Sequence, residues 1–518
     1  MVFTRNVFKS FVFNYVMGSK SIKDKFIYIP VIVLSLYLII RLIDKASIIN
    51  SFPLDFDNDI SSYLAYLFFL AKCGWNNLCG YWYNGIIPFQ SYTPGWFFFT
   101  FPIYILTNKV TLSAYISLLL ITLLSFLVIN SIGKIKNYSL VKRFFIFLFL
   151  FGNPITVGNF IRLGRLPEMM GFLTFMTLFL FFIYYFNKKL DLKFLIFFSI
   201  VYFAIIISSA HFAVLSQILV ISFLIIRDYK EKIKIIAGAF LGIIFSSFWL
   251  LDFLKSKFFG TLGDYSPLGK SQLLLFTKEH LLTNLALIIV PLIFIFVFYF
   301  YYKQHKENKK LILFYTPVLV LSILVFSRAV TIIPILNDLP SDPYLEFILF
   351  FTLILFFDTN LSLYKTKFID FIKIIKPTIV LLPMLLVMIS IFYTPWSRGY
   401  TKLEYDTLNL MSKIDDKFII YGEVYPTSYA AAYYSYAPIY LNLSTSSGWA
   451  PITKPKSYYE LLSESKNALN NLDCKNFKSL VAKLNTTNFI GFKDFCSNLK
   501  KCGLIKIEER ENVCLYKK

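Results

Sequence analysis

Residues 53–73 read PLDFDNDISSYLAYLFFLAKC and form the first substantial polar interruption in a very apolar chain. Two acids one residue apart, Asp57 and Asp59, open the segment. The apolar residues after them recur with the period of a helix that has one apolar face and lies along a surface; they are Ile60, Tyr63, Leu64, Leu67, Phe68 and Ala71. Asn58 or Asp59 is suited to cap that helix. The acids either belong to a solvated loop or provide a catalytic carboxylate where water meets lipid.

The composition indicates a membrane protein. Hydrophobic residues make up 57% of the 518 residues, and the mean hydropathy is +0.63. A soluble domain of this length is less apolar, whereas a polytopic membrane protein has this composition. The net charge of +22 does not call for a nucleic-acid partner, because lysines of membrane proteins concentrate in loops that face anionic lipid.

The fold class predicted is an α-helical polytopic membrane protein with about 11 transmembrane helices, in the cell (plasma) membrane. A cytoplasmic N-terminus makes every inner loop rich in lysine, which satisfies the positive-inside rule. The first span is predicted to be an uncleaved signal anchor. Pro94–Thr107 is short and is predicted to be an interfacial or re-entrant part of the first outer loop, about residues 45–109. The predicted spans are Phe26–Ile43, Val110–Gly133, Phe144–Phe160, Met169–Phe186, Phe194–Ala210, Phe212–Ile226, Ile233–Leu251, Asn284–Tyr302, Leu311–Phe326, Leu345–Phe357 and Thr378–Tyr393.

The end of the chain has a different composition and is predicted to be a separate domain. Residues 1–394 form the transmembrane domain, and residues 395–518 form an extracytoplasmic α/β domain in which strand-like and helix-like runs alternate. The strand-like runs are Phe418–Tyr425, Asn488–Phe492 and Leu504–Glu508, and the helix-like runs are Tyr458–Leu472 and Phe477–Leu484.

The six cysteines lie in the two polar regions and outside all predicted spans. This distribution suits disulfides in an oxidising exterior, and the alternative is a set of reduced thiols. The disulfide candidates are Cys73, Cys79, Cys474, Cys496, Cys502 and Cys514.

Charged groups collect at the predicted outer ends of the spans, on the side of Asp57 and Asp59. The candidates for binding a lipid phosphate or substrate are Arg162, Arg165, Glu168, His211 and Arg328, with Lys255, Lys257, Lys270 and Lys278 in a nearby loop. The arginines are alternatively anchors that extend to the lipid headgroups, and the histidine is alternatively a hydrogen-bonded residue at a helix end.

This combination suits transfer of a sugar from a lipid-phosphate donor. Cations hold the phosphate at the membrane boundary, and a carboxylate takes the proton of the acceptor hydroxyl. No soluble cofactor is needed. Asp57 and Asp59 are also candidates for a divalent cation, Mg²⁺ or Mn²⁺, although two acids do not complete a ligand set. Only three histidines occur, which argues against a histidine-based metal cluster.

The order of motifs resembles the GT-C superfamily of polyprenyl-phosphate-dependent glycosyltransferases. The acidic first loop is followed by WYNGIIPF (Trp82–Phe89), by Tyr92, Pro94 and Phe97, by GRLPE at Gly164–Glu168, and by Ser209-Ala-His211. Within the superfamily, the chain is most similar to the membrane proteins named "6-pyruvoyl-tetrahydropterin synthase-related", a name that implies no pterin chemistry here.

The resemblance implies an integral membrane glycosyltransferase, which transfers a hexosyl or pentosyl group on the extracytoplasmic face. It implies that the catalytic acid is Asp59, which an aromatic residue, Tyr63, follows four residues later; Asp57 is the second candidate. Many relatives have histidine at the position of Tyr63. The implied partners are a polyprenyl-phosphate-linked sugar donor, membrane lipid and an acceptor that is a glycan, lipid or protein. A lipid-linked glycan flippase or transporter, and a non-catalytic cell-envelope assembly protein, are the alternatives.

The predicted orientation can be tested by labelling. A lysine reagent that cannot cross the membrane should modify the lysines of the C-terminal part of the chain in intact cells, because this part is predicted to be outside. Lys188 and Lys309 should react only after the membrane is opened. Labelling of either lysine in intact cells would contradict the orientation.

Overall fold

The computed structural model describes residues 28–54, 59–90, 92–153, 157–258, 273, 281–359, 387, 396, 399–422, 430–449 and 454–518. This part of the chain is mostly helical. Up to residue 359 its α-helices are α1 (Tyr28–Lys45), α2 (Ile60–Cys73), α3 (Gly95–Thr107), α4 (Val110–Ile135), α5 (Leu140–Phe151), α6 (Val157–Leu163), α7 (Leu166–Tyr185), α8 (Leu192–Ser208), α9 (Ala210–Ile225), α10 (Tyr229–Phe258), α11 (Leu281–His305), α12 (Lys309–Phe326) and α13 (Ser341–Asp358).

Five described helices, α4, α7, α10, α11 and α12, are long and apolar enough to cross a membrane by length and composition. Helices α8 and α9 are apolar but contain only 17 and 16 residues. The architecture is therefore that of a helical membrane protein, as predicted, but the number of eleven spans is not confirmed. The last predicted span, Thr378–Tyr393, lies outside the described residues apart from Val387.

The third predicted span, Phe144–Phe160, is not one helix. Helix α5 ends at Phe151, and α6 begins only at Val157. The sequence between them contains Pro154, and a proline disfavours the helical conformation at the residue before it. The prediction was wrong here because it followed hydropathy across the proline. The break separates a short helix, α6, whose end helps to build the candidate site.

The basic loops meet at one end of the bundle. Arg227, before α10, donates a hydrogen bond to the main-chain oxygen of Lys188 at 3.0 Å and to the carboxylate of Glu231 at 3.1 Å. Lys310, in α12, donates to the main-chain oxygen of Phe186 at 3.2 Å. Three loops predicted to be cytoplasmic are thus in mutual contact, beyond the end of α7. Which side of a membrane they face stays a prediction.

The C-terminal part contains a four-stranded sheet in the order β1-β2-β4-β3, in which β1 is parallel to β2 and the other pairs are antiparallel. This arrangement with flanking helices agrees with the α/β prediction, although β4 was not predicted. The predicted boundary between residues 394 and 395 adjoins undescribed residues and stays a prediction. The elements are α14 (Lys402–Met411), β1 (Phe418–Tyr421), α15 (Ala430–Tyr436), α16 (Lys456–Asn470), α17 (Cys474–Lys483), β2 (Asn488–Phe492), α18 (Asp494–Lys501), β3 (Ile505–Glu509) and β4 (Val513–Lys517).

The two faces of the sheet belong to two apolar cores. Phe418 and Ile420 of β1 join the large core that also contains the bundle helices, while Ile419 and Tyr421 join a smaller core with α16, α17 and α18. Alternate residues of a strand point to opposite faces, so one face packs toward the bundle and the other is covered by the domain's own helices.

Three disulfides join the six cysteines. Cys73–Cys79 closes the loop after α2. In the C-terminal part, Cys474–Cys502 links the start of α17 to the end of α18, and Cys496–Cys514 links α18 to β4. The bridges therefore lie within the two polar regions of the sequence, and each connects elements of a single region.

Helix α2 is enclosed by protein, so the prediction of a surface-lying amphipathic helix was wrong. Every residue from Ile60 to Leu70 is buried, including Ser61 and Ser62 on the side expected to face water. Helices α3 and α4 pack on α2, and α15 of the C-terminal part packs on it as well. The periodicity of one segment cannot reveal a cover that comes from residues far away in the sequence.

Hydrogen bonds fasten the C-terminal part to the loop after α2. The indole Nε1 of Trp82, which is fully buried, donates to the main-chain oxygen of Tyr434 at 2.8 Å. The main-chain nitrogen of Thr445 donates to the main-chain oxygen of Tyr81 at 2.7 Å. Asn84 donates from Nδ2 to the C-terminal part as well, at 2.9 Å. These contacts fix the position of the C-terminal part beside α2.

Replacing Trp82 by alanine should loosen this attachment. Loss of a buried tryptophan in a packed core costs about 3–5 kcal/mol, and the Tyr434 carbonyl loses its donor. Trp82→Phe keeps most of the packing and should cost about 1 kcal/mol for the lost hydrogen bond. The measurement is the melting temperature in detergent, together with the rate at which a protease releases the C-terminal part.

The matched control is Leu78→Ala in the same loop, because the Leu78 side chain is 72% exposed. It should change stability by less than about 0.5 kcal/mol. If Trp82→Ala had the same melting temperature and the same rate of protease cleavage as Leu78→Ala, the contact with Tyr434 would not hold the two parts together.

Candidate functional site

The GRLPE motif forms the turn between α6 and α7. Gly164 has φ +68°, a conformation that favours glycine, and the next residue, Arg165, donates its main-chain N–H to the oxygen of Phe160 at 2.9 Å. This is the pattern that ends a helix with a left-handed glycine. Pro167 and Glu168 then lie in the first turn of α7, where both residue types are favoured. The motif thus places Arg165 between two helices.

Asp59 lies directly before α2, and its side chain bonds Arg165. Its main-chain N–H donates to the oxygen of Leu163 at 3.1 Å, which holds the start of α2 against the end of α6. Its carboxylate Oδ2 accepts from Nε of Arg165 at 3.1 Å. Asp59 occupies the cap position of α2, as predicted, but its side chain makes no capping hydrogen bond. Asp57 and Asn58 lie outside the described residues.

A third charged residue, Asp342, completes this contact. Nη1 of Arg165 donates to Oδ2 of Asp342 at 3.2 Å, so one guanidinium joins two carboxylates. Asp342 lies in the first turn of α13. The sequence analysis missed it because the predicted span began at Leu345. A signal was present, since an acid and a proline after Ser341 are typical of a helix start.

Burial and the carboxylates act on Arg165 in opposite directions. Burial alone would lower the pKa of its guanidinium, but the carboxylates of Asp59 and Asp342 outweigh this effect and raise it above the ordinary value. Arg165 therefore carries its positive charge at every physiological pH. Its side chain is 31% exposed, that of Asp59 32% and that of Asp342 18%, so the three groups are reachable from solvent.

Glu168 and His211 form a second charged pair beside the first. Ser209 caps α9 by accepting from the main-chain N–H of Phe212 at 3.5 Å, and this sets His211 in the first turn. Helices α7 and α9 approach closely here, because a Cβ on Gly171 would lie 2.3 Å from that of Ser209. Oε1 of Glu168 is 3.8 Å from Nδ1 of His211. The other oxygen of Glu168 is buried and has no hydrogen-bond partner among the described residues.

Glu346 is a second acid that the sequence analysis missed. It lies one turn after Asp342 on α13 and is only 1% exposed. It lies close enough to Asp342, Glu168 and Arg165 to interact with them electrostatically. Its Oε2 is buried and makes no hydrogen bond within the described part of the chain. An ionisable residue inside an apolar helix is a signal for a functional site, and Glu346 was the second residue of a predicted span.

An aromatic group lies next to the acids and includes a residue of the C-terminal part. The ring of Trp449 is 5.4 Å from that of Tyr63 and 5.8 Å from that of Tyr92, and the two tyrosines share a hydrogen bond. Burial raises the pKa of both hydroxyls well above the ordinary value, and the nearby Glu168 and Asp59 carboxylates raise it further. Both tyrosines are therefore neutral at physiological pH.

The remaining predicted cations bond elsewhere. Nε of Arg162 donates to Oδ1 of Asn159 at 2.8 Å within α6. Nη2 of Arg328 donates to the main-chain oxygen of Asn284 in α11 at 3.0 Å. Neither of these hydrogen bonds involves Asp59 or Arg165, and a direct role of either arginine beside Asp59 stays a prediction. Of the predicted lysines, Lys255 lies exposed on α10, Lys257 lies in α10, and Lys270 and Lys278 lie outside the described residues.

The described residues around Asp59 do not assemble a site for a divalent metal. Within the described ranges, no group of three or more His, Cys, Asp or Glu residues could hold a metal ion. Asp59 and Asp342 each give an oxygen to Arg165 instead. Asp57, the other predicted ligand, is outside those ranges. Mg²⁺ and Mn²⁺ sites need several oxygen ligands around one point, and the described geometry does not supply them.

No protein-family model and no curated protein matches the sequence. Solved structures do resemble it. An oligosaccharyltransferase of Archaeoglobus fulgidus in complex with Zn and sulfate is 13% identical over 88% of this chain and 68% of that chain, with a TM-score of 0.50.

Two further structures from Archaeoglobus fulgidus are similar to the same extent. The oligosaccharyltransferase AglB in complex with an inhibitory peptide and a dolichol-phosphate is 9% identical over 89% of this chain and 69% of that chain, with a TM-score of 0.50. An oligosaccharyltransferase tethered to an acceptor peptide with the NVT sequon is 11% identical over the same shares, with a TM-score of 0.51. At these identities the likeness shows the fold alone, and the narrower pterin-synthase-related group is not shown.

Proposed function

We propose that this protein is a membrane glycosyltransferase of GT-C type that transfers a sugar from a polyprenyl-phosphate donor to an acceptor on the extracytoplasmic face. In this proposal Asp59 is the base, with Asp57 as the second candidate. The fold shared with an oligosaccharyltransferase supports the general activity. One of the similar structures is a complex with a dolichol-phosphate and another is tethered to an acceptor peptide, which supports a lipid-linked donor and a separate acceptor.

One observation carries the proposal, namely that residues from three helix starts are in direct contact and that a fourth, His211, lies beside them through Glu168. Asp59 precedes α2, Arg165 precedes α7, and His211 and Asp342 lie in the first turns of α9 and α13. The start of a helix carries a partial positive charge that favours anions. An assembly of acids, one guanidinium and converging helix starts suits a reaction in which an anionic leaving group departs and a proton must be accepted.

The reaction in this proposal is a single displacement. The hydroxyl oxygen of the acceptor attacks the anomeric carbon of the sugar and forms the new glycosidic bond. The bond between that carbon and the phosphate oxygen breaks, and its electron pair leaves with the polyprenyl phosphate. The proton of the hydroxyl passes to the carboxylate of Asp59, whose Oδ2 is held by Arg165. General base catalysis of this kind contributes typically 10²–10⁴-fold to a rate.

The lipid phosphate needs cations beside the acids. A guanidinium has five N–H donors, and the bonds to Asp59 and Asp342 use two of those of Arg165. The remaining donors suit phosphate oxygens. His211 adds a cation when it is protonated, and Arg162 and Arg328 are further candidates. The group transferred in this proposal is a hexosyl or pentosyl group, and the acceptor is a glycan, lipid or protein.

Glu346 favours the alternative of a lipid-linked glycan flippase or transporter, because buried ionisable residues in membrane helices mark ion and substrate paths. Its position argues for the enzyme, since Glu346 is one turn from Asp342 and interacts with Arg165. A non-catalytic cell-envelope assembly protein would need neither Glu346 nor the charged groups around Arg165. Measuring sugar transfer by the parent and by Asp59→Asn separates these functions.

Asp59→Asn should abolish sugar transfer in membranes supplied with a labelled polyprenyl-phosphate sugar. An amide keeps the size of the side chain but cannot take the proton, so the rate should fall about 100-fold or more. The measurement is transfer of label from the lipid to any acceptor, with the amount and melting temperature of the protein measured in parallel.

Asp252→Asn is the matched control, because Asp252 is a partly exposed acid near the end of α10. It should leave transfer within about twofold of the parent. Full transfer by Asp59→Asn would remove Asp59 from the mechanism. Movement of intact lipid-linked glycan across the membrane without transfer would favour the transporter.

A further inference from the structure

We infer that the guanidinium of Arg165 is the resident cation of this site, fixed between Asp59 and Asp342, in the position that a divalent metal would otherwise need. Asp342 is then a positioning residue of the site. The part of this inference that concerns catalysis rests on the proposed function. The part that concerns which cation occupies the site does not.

The carboxylates of Asp59 and Asp342 both bond the side chain of Arg165. Nε of Arg165 is 3.1 Å from Oδ2 of Asp59, and Nη1 is 3.2 Å from Oδ2 of Asp342. The two donors belong to the rigid, planar fork of one side chain. A fork that bonds two carboxylates from different helices fixes the distance between them, which a flexible lysine could not do.

A metal would have to displace this arginine. A divalent ion binds carboxylate oxygens at about 2.0–2.6 Å and needs more than two of them or bound water. Of the nearby described acids, Glu168 has its Oε1 3.8 Å from Nδ1 of His211, and Glu346 is buried one turn after Asp342 on α13. The described acids form no three-ligand group, and Arg165 offsets one of the two negative charges of the aspartates that it bonds.

Asp342 fixes the orientation of the Arg165 guanidinium. With only Asp59 as partner, the guanidinium could rotate about a single hydrogen bond. The second bond, to Asp342, fixes the plane of the fork, so that Arg165 holds Oδ2 of Asp59 and leaves Oδ1 to the acceptor. A base with one free oxygen is what proton transfer from an acceptor requires, and the role of Asp342 is to keep Arg165 in that plane.

Binding of Mn²⁺ to the purified full-length protein tests the occupancy directly. The probe is Mn²⁺ alone, followed by its electron paramagnetic resonance signal in detergent. The parent and the double variant Asp59→Asn, Asp342→Asn should give the same Mn²⁺ titration. Equal titrations mean that Asp59 and Asp342 bind no Mn²⁺ in the parent. Arg165→Met exposes both carboxylates and should bind Mn²⁺ about tenfold more tightly than the parent.

Lys109→Met is the matched control for Arg165→Met, because Lys109 is an exposed cation just before α4. It should bind Mn²⁺ like the parent. A Mn²⁺ site in the parent that the double variant loses would overturn the inference. So would equal binding by Arg165→Met and Lys109→Met. If Arg165→Met does not fold, the signal of bound Mn²⁺ in the parent is compared before and after addition of EDTA. This comparison needs no variant and still decides the occupancy.

The catalytic part uses the transfer assay. Transfer by the parent should change by less than about twofold in excess EDTA, and loss of transfer that Mn²⁺ restores would overturn the inference. Asp342→Asn should lower kcat more than it raises KM, with the melting temperature retained, and Asp342→Glu should recover part of kcat. Equal rates for Asp342→Asn and the parent would remove the positioning role. If no donor supports transfer, the proposed function fails, while the Mn²⁺ titration still decides the occupancy.

Discussion

The contact of Arg165 with Asp59 and Asp342 is the interaction on which the site depends. It joins the start of α2, the turn between α6 and α7 and the start of α13, which are three places far apart in the sequence. Charges in a partly buried position are stable only when they are paired and hydrogen-bonded. The three helix starts must therefore converge for any one of these groups to be accommodated, and the site and the packing of the bundle depend on each other.

The same principle explains why the polar groups lie at the two ends of the bundle. Helix α7 has Arg165 and Glu168 at its start, and the main-chain oxygens near its other end accept hydrogen bonds from Arg227 and Lys310. A helix of 20 residues is about 30 Å long, close to the thickness of the apolar part of a bilayer. Acids thus gather at one end and basic loops at the other, with an apolar layer between them.

Local sequence signals predicted the parts of the site that local physics determines. Gly164 and Pro167 end one helix and start the next, and the turn that they form carries Arg165, as the GRLPE motif indicated. Asp59 was predicted at the start of α2 and lies there. The partner of Arg165 on α13 was missed, because which acid meets a guanidinium is decided by helix packing across residues 165 to 342 and not by any nearby pattern.

Hydropathy predicted where most helices lie but not which residues pack against them. It predicted most of the helices from α4 to α13 but joined α5 and α6 across Pro154, and it counted more spans than the described helices support. It also predicted an open face for α2. The residues that cover this face belong to α15, and a periodicity that is measured over a dozen residues contains no information on a helix that begins at Ala430.

The cover over α2 also has a consequence for biosynthesis. Ribosomes deliver the chain from its N-terminus, so Ser61 and Tyr66 emerge long before Ala430 and Tyr434 are made. During that interval α3 and α4 can pack on α2, but the side that α15 covers stays open. A nascent or prematurely stopped chain would keep this apolar and hydroxyl-rich side open to chaperones and proteases, and only a finished chain would close it. Translation must therefore pass Tyr436 before α2 can be fully enclosed.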